Sequence, residues 1–269
     1  MRSDLIYDVG AHKGEDAEFY LLKGFRVVAI EAVPALCDAI RVRLGSYLEA
    51  GQLTLINAAV AERVGPITFF TNQRISVYGT TSETWAKRNE LFGAPSNKVT
   101  VTGLRFIDVL AEHGVPYYLK IDIEGSDLLC LHALKSFPSR PKFVSIESAT
   151  VHWADAIAEF SLLRELGYSR FKLVQQRDVP KQRCPNPPAE GKYVDHHFEK
   201  NSSGLFGDEL PGKWMSEREA LKSYRYKFLR YRLVGDESFL WRSKYRQRLY
   251  NRYVSRLLRV GWYDTHATA

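Results

Sequence analysis

Short apolar runs recur along the first 175 residues, each ending in a polar or glycine-bearing turn. Leu5-Ile6-Tyr7-Asp8-Val9 is the first, and it runs through Gly10 and Gly14 into a helical stretch, Glu15 to Leu22. Arg26 to Ile30 is the second and ends at Glu31. Pro34 then suits the first turn of a helix over about Ala35 to Leu48, with Gly51 past its end. Leu53 to Ile56, Tyr117 to Ile121, Lys142 to Ile146 and Phe171 to Val174 give a third to a sixth strand. Helical patterns cover Phe106 to His113, Leu128 to Leu134 and Ala154 to Leu166, the last with Ile157, Phe160, Leu163 and Leu166 at steps of three. Strands alternating with helices predict a mainly parallel sheet.

Two stretches break the alternation. Ile67 to Phe70 and Val99 to Val101 read as short extra strands, and between them runs a polar connection, Thr71 to Lys98, with Ser76, Gly79, Thr80, Thr81 and Trp85. Connections of that length are either disordered surface or lids and binding loops. With only a few residues before the first strand, this loop and the C-terminal region are expected to cover any site. Residues 175 to 215 are rich in Pro and Gly, and a seventh strand is expected near Val194 to Phe198. Beyond them Ser216-x-x-Glu219 is a capping box, opening a helix with a stripe of Leu221, Tyr224, Phe228 and Tyr231. Gly235-Asp236 breaks that helix. A second is expected from about Ser238, with Tyr250, Tyr253, Leu257 and Val260 on one face; the ending Gly261 to His266 fits neither and receives no element.

In an open parallel sheet, ligands bind outside the carboxyl ends of the strands. Those ends are where this chain collects polar groups. Gly10 and Gly14 let backbone approach a nucleotide-like ligand, and Glu31 stands about twenty residues on, where a ribose-binding carboxylate is expected. Asn57-Ala58-Ala59 follows the third strand, and Asp122-Ile123-Glu124-Gly125 the fourth. Lys120 and Asp122 share one face of their strand, Glu124 continues that parity if the strand does, and Glu147 ends the fifth. A carboxylate or a neutralised lysine there can take a proton from a hydroxyl, and a neighbouring carboxylate can orient the molecule that bears it. The same oxygens could hold Mg²⁺ or Mn²⁺ with help from His152 or the pair His196-His197, although no His-x-x-x-His spacing is present.

Four motifs in this order, Asp8-Val-Gly-Ala-His-Lys-Gly14, Ala29-Ile-Glu-Ala-Val-Pro34, Asn57-Ala-Ala and above all Leu119-Lys-Ile-Asp-Ile-Glu-Gly125, resemble the S-adenosylmethionine-dependent methyltransferases of the FkbM type over about residues 4 to 150. That family usually has Asn where this chain has His12, and an acid where it has Arg105. The resemblance implies a class I methyltransferase (Rossmann-like) fold, a seven-stranded, mainly parallel sheet with helices on both faces, plus a C-terminal helical appendage. It implies O-methylation of a hydroxyl, most often on a sugar or secondary metabolite, with S-adenosyl-L-methionine as cofactor. Asp8, Gly10, His12 and Gly14 would cradle its amino-acid end, Glu31 the ribose, and Asn57 with Ala58 the adenine. Glu124 or Asp122 would be the base, with Lys120 and Glu147 orienting, and no metal is assigned. Asn186-Pro-Pro188 is not the signature of base N-methylation, which belongs after the fourth strand and ends in an aromatic where Ala189 stands.

At 269 residues and 45% hydrophobic, the chain suffices for one α/β domain and an appendage, divided here into 1–200 and 201–269. No apolar run nears a membrane span or a signal sequence, so a soluble, cytoplasmic protein is expected. Cys37, Cys130 and Cys184 are too few and too far apart for a disulfide framework. The net charge of +7 is uneven: residues 213 to 262 hold 14 Lys and Arg against 4 acids, which leaves the rest at −3. That basic, aromatic-rich extension could hold an anionic acceptor or carrier, or pack on the sheet with its charges in water. A non-catalytic module tethering nucleic acid or membrane is the reading from another class, and an RNA methyltransferase a third. Intact cofactor residues favour an enzyme, and nucleic acid is the less favoured partner.

Overall fold

The computed structural model describes residues 1–72, 79–91, 96–148, 153–234 and 262–269. In chain order its elements are β1 (Arg2–Val9), α1 (Glu15–Leu22), β2 (Arg26–Glu31), α2 (Pro34–Glu49), β3 (Leu53–Asn57), β4 (Ala59–Val60), β5 (Gly65–Asn72) and α3 (Glu83–Leu91). There follow β6 (Ser96–Leu104), α4 (Phe106–His113), β7 (Pro116–Ile121), α5 (Leu128–Leu134), β8 (Phe143–Ser148), α6 (Trp153–Glu165), β9 (Arg170–Gln175), β10 (Met215–Ser216), α7 (Glu217–Val234) and β11 (Tyr263–Thr268). The main sheet has the order β10-β9-β11-β8-β7-β1-β2-β3. From β3 to β8 every pairing is parallel, while β11 runs antiparallel between β8 and β9.

Alternation along the strands builds two cores. Leu5, Tyr7 and Val9 of β1, with Val28, Ile30, Leu119 and Ile121, pack under α4, α5 and α6. Ile6, Val27, Ala29 and Tyr118 point the other way, against α1 and α2. The chain after β9 closes this second face, where Phe206 stacks on Tyr118 at 4.6 Å and Lys23 pairs with Glu209 at 2.8 Å, both side chains fully buried. A separate sheet, β4-β6-β5, stands beside the main one.

The structure corrects four expectations. Among the described residues the main sheet has eight strands instead of seven, because two residues, Met215 and Ser216, pair with β9. The strand expected near Val194 to Phe198 is irregular chain whose Phe198 packs on Phe19. The antiparallel strand is β11 at the far end, so residues beyond 200, expected as an appendage, complete the sheet. In α6 Ile157 is exposed, and Ala156, Glu159, Phe160 and Leu163 are buried, because steps of three drift off a face that repeats every 3.6 residues. Among the described residues no helix is long and apolar enough to cross a membrane. The helix expected from Ser238 lies outside them.

The capping box forms. Ser216 N–H donates to Glu219 Oε2 at 2.8 Å, and Glu219 N–H donates to Ser216 Oγ at 3.4 Å. Behind it α7 buries Ala220, Tyr224 and Tyr231. Ser216→Ala is expected to cost about 1 kcal/mol in urea unfolding; an unchanged midpoint would show that packing alone sets this helix start.

Candidate active site

The turn after β1 is held by close backbone approach. Gly10 has φ +84°, and a Cβ there would stand 1.8 Å from the Asp122 carbonyl oxygen, so only glycine lets the ends of β1 and β7 meet. His12, at φ +50°, donates its N–H to Glu31 Oε2 at 2.9 Å, and Val33 N–H donates to Oε1 at 2.8 Å. The Glu31 carboxylate is thereby fixed at the tip of β2, with burial raising its pKa. Asn57 donates to the Glu31 and Ala32 carbonyls at 2.9 and 3.1 Å, closing the same tip.

These strand ends form one wall of a cleft whose empty space, open solvent included, is about 800 Å³. Gly10, His12, Glu31 and Ala58 line it, as do Lys120, Asp122 and Glu124. Asp8, Gly14 and Asn57 do not. Asp8 is wholly buried behind the turn, Gly14 caps α1 at φ +82° against Leu44 and Ile40, and the Asn57 amide is engaged as above. Their contribution to the cleft is to shape it. One end of the cleft is apolar, with Val33, Leu36, Ala59 and Phe69. The other is acidic.

Lys120 organises the acidic end. Its Nζ lies 3.0 Å from Asp8, 3.7 Å from Asp16 and 3.8 Å from Asp122, and it donates to the Gly10 carbonyl at 2.9 Å. Burial opposes its charge, but Asp8, Asp122 and Asp16 outweigh burial and raise its pKa well above the ordinary lysine value. These three carboxylates favour the ammonium form of Lys120. Asp16, unpredicted, lines the cleft and takes the Ser203 N–H on both oxygens at 2.9 Å. An acid in the first turn of a helix signals only a favourable dipole, and its partner lies 187 residues away.

β7 stops at Ile121, so strand parity does not place Glu124. It sits in the following turn at φ +53°, and Asp127 holds that turn by accepting the Ile123 and Gly125 N–H groups at 3.1 and 2.9 Å. Residues 79–91 lie on top: Thr80 Oγ1 donates to the Glu124 carbonyl, Thr81 meets Ser126 at 2.6 Å, and Trp85 covers Gly125. This described part of the polar connection is thus a cover over the turn.

Beyond the turn a second cleft opens, of about 820 Å³, and Glu124 lines both. Glu147 belongs to this second cleft and not to the lysine cluster. Asp264 of β11 is its register partner, and the Gln176 amide donates to both carboxylates, at 3.3 and 3.1 Å. Burial, then Glu124, Asp122 and Asp264, raise the Glu147 pKa well above the usual range; burial and Asp122 push Asp264 up to about 8. Glu159, also unpredicted, is pushed up to about 8 by burial, against a 3.0 Å bond from Ser148. Trp262 and Trp85 both line this cleft and lie in tilted ring contact, centroids 6.2 Å apart, so Trp262 joins the cover. Among the described residues no three His, Cys, Asp or Glu stand as a metal-holding group. His196 packs with Phe19 and Phe198, and His152 lies outside the described residues.

Residues 8–170 match the model of the methyltransferase FkbM domain. The chain belongs to the FkbM methyltransferase family. Its cofactor is S-adenosyl-L-methionine. No curated protein matches the chain. Among solved structures it is similar to a precorrin-6y C5,15-methyltransferase from Geobacter metallireducens, at 15% identity over 73% of this chain and 77% of that one, TM-score 0.34. It is also similar to an Archaeoglobus fulgidus SAM-dependent methyltransferase (10%, 99% and 86%, TM-score 0.39) and to one from Thiobacillus denitrificans bound to S-adenosyl-L-homocysteine (10%, 99% and 85%, TM-score 0.35).

The first cleft fits this FkbM-family cofactor by its chemistry. Its apolar end suits a purine, the Glu31 carboxylate suits a ribose diol, and the carboxylates around Lys120 suit an α-ammonium and a sulfonium. The His12 and Arg105 departures are both accommodated: His12 Nδ1 lies 3.2 Å from Glu15 Oε1, and Arg105 pairs with Asp108 at 2.7 Å.

Proposed function

We propose that this family member methylates a hydroxyl oxygen of a sugar, glycan or secondary metabolite, with the acceptor in the second cleft and Glu124 as general base. The observation that carries this reading is the position of Glu124 on the wall common to both clefts. When bound, the cofactor supplies an electrophilic methyl group on a sulfonium. The acceptor oxygen displaces the sulfur in line, a step that gains chiefly from alignment, and the hydroxyl proton passes to a carboxylate. Asp122, 3.8 Å from Lys120, is the second candidate for that proton. Lys120 keeps its own proton and fixes the acidic end, Glu147 orients the acceptor from β8, and Trp85 and Trp262 exclude water. Glu31 holds the ribose, Gly10 and His12 border the amino-acid end, and Ala58 flanks the adenine. An anionic carrier for the acceptor is placed at α7, whose Arg218, Lys222, Arg225 and Arg232 are exposed.

Calorimetric titration with S-adenosylmethionine and S-adenosylhomocysteine tests the cofactor part. Micromolar binding is expected, and Glu31→Ala should weaken it roughly 10- to 100-fold, the value of a charged hydrogen bond. A melting curve guards against simple unfolding, since the variant also strips the His12 and Val33 N–H groups of their acceptor. Binding unchanged by Glu31→Ala would remove the ribose role.

A further inference from the structure

The second cleft has more acid than the reaction needs. Glu124, Asp127, Glu147, Asp155 and Glu159 line it, and no Lys or Arg does so among the described residues. Asp127 is engaged by backbone N–H groups, and Glu159 by Ser148. Among the described residues Glu147 receives a long bond from Gln176, which also donates to Asp264. Asp264 is 3% exposed, and its Oδ2 has no hydrogen-bond partner among the described groups. Carboxyls massed in a half-dry cleft hold their protons until a cation joins them, and an entering cation lets them ionise beside it. Two indole rings, those of Trp85 and Trp262, line the same cleft, and indole faces attract cations and stack on sugar rings.

Resting on the reading of this cleft as the acceptor site, we propose that the acceptor carries a protonated amine beside the hydroxyl that is methylated, as in an amino sugar or an amino alcohol. The ammonium sits between Glu147 and the indoles, with Asp264 behind. This placement also decides which atom reacts. A nitrogen held as ammonium has no lone pair to attack the methyl group, so the neighbouring oxygen is the nucleophile. Its O–H proton goes to Glu124, the new O–CH₃ bond replaces the S–CH₃ bond, and the ammonium keeps all its protons. Neutral sugars satisfy the indoles but bring the carboxyls no cation.

The test uses the full chain saturated with S-adenosylhomocysteine, titrated with glucosamine, 2-aminoethanol, N-acetylglucosamine and glucose, and read by indole fluorescence and calorimetry. Glucosamine is expected to bind at least about tenfold more tightly than N-acetylglucosamine or glucose, as a charge-assisted contact should. Glu147→Gln is expected to remove most of that preference while S-adenosylhomocysteine affinity stays within about twofold. Equal binding of the three sugars, tighter binding of a neutral one, or no saturable binding of either amine while S-adenosylhomocysteine still binds would each overturn the proposal. Failure of S-adenosylhomocysteine itself to bind has a different meaning: it removes the methyltransferase site as read here, and this proposal with it.

Discussion

Lys120→Met is expected to lower the stability of the protein by about 3–5 kcal/mol, the cost of removing one partner from a buried ion cluster. Asp8 and Asp16 are buried around that ammonium, and Asp122 lines the cleft beside it. The melting temperature should fall on the order of 10 °C, and S-adenosylhomocysteine binding should be lost with the shape of the turn. The deficit should depend on pH. Burial already pushes the Asp8 carboxyl up to about 7, and losing Lys120 raises it further. A carboxyl whose folded pKa lies above its unfolded value binds more protons when folded. Its penalty is therefore absent below about pH 4, grows as pH rises, and levels off only above the folded pKa. In the variant that levelling comes later than in the parent, so the gap should widen from pH 6 to pH 8. Urea unfolding at both pH values measures it. Adding Asp8→Asn should recover about half of the loss, because it removes the most deeply buried of the uncompensated charges. A deficit that ignored both pH and Asp8→Asn would mean that Lys120 acts by packing alone.

The lysine cluster was half legible in the chain itself. Two-residue periodicity set Lys120 and Asp122 on one face, and the run Asp8-Val-Gly10 set an acid on the adjoining strand tip, because local pattern and strand register are short-range properties. Asp16 and Ser203 could not be paired that way. Their contact depends on how the irregular chain after β9 folds back over α1, and no periodicity encodes that return. β11 was invisible for a related reason. Asp264, Thr265 and His266 do not alternate with apolar residues, and they become buried only because β8 and β9 flank them on both sides. A strand buried at both edges can be polar when its side chains bond to neighbours, as Thr265 does with Ser148 and Asp264 with Gln176. Glu159 was hidden by a stripe counted in steps of three. Glu147 stands at a strand end as expected, yet on the second cleft, since Lys120 is in register with Ser145 and Glu147 lies two residues further along β8.

Glu124→Gln is expected to lower turnover by roughly 10²- to 10⁴-fold, the usual contribution of a positioned base. The rate is read as S-adenosylhomocysteine release with an acceptor found by screening hydroxylated amines and sugars. The substitution keeps the size and most of the polarity of the side chain, and the turn is held by Asp127 and by the Thr80 bond to the Glu124 carbonyl, neither of which it touches. S-adenosylhomocysteine affinity should therefore stay within about threefold, since only the charge at the shared wall has changed. Asp122→Asn serves as the counterpart. Asp122 belongs to the Lys120 cluster, so this variant should disturb cofactor affinity more and the chemical step less. The opposite result, full turnover in Glu124→Gln and collapse in Asp122→Asn at unchanged affinity, would move the base to Asp122. Turnover kept by both would leave the proton to solvent or to the acceptor's own groups, and the shared wall would then serve to align the two substrates.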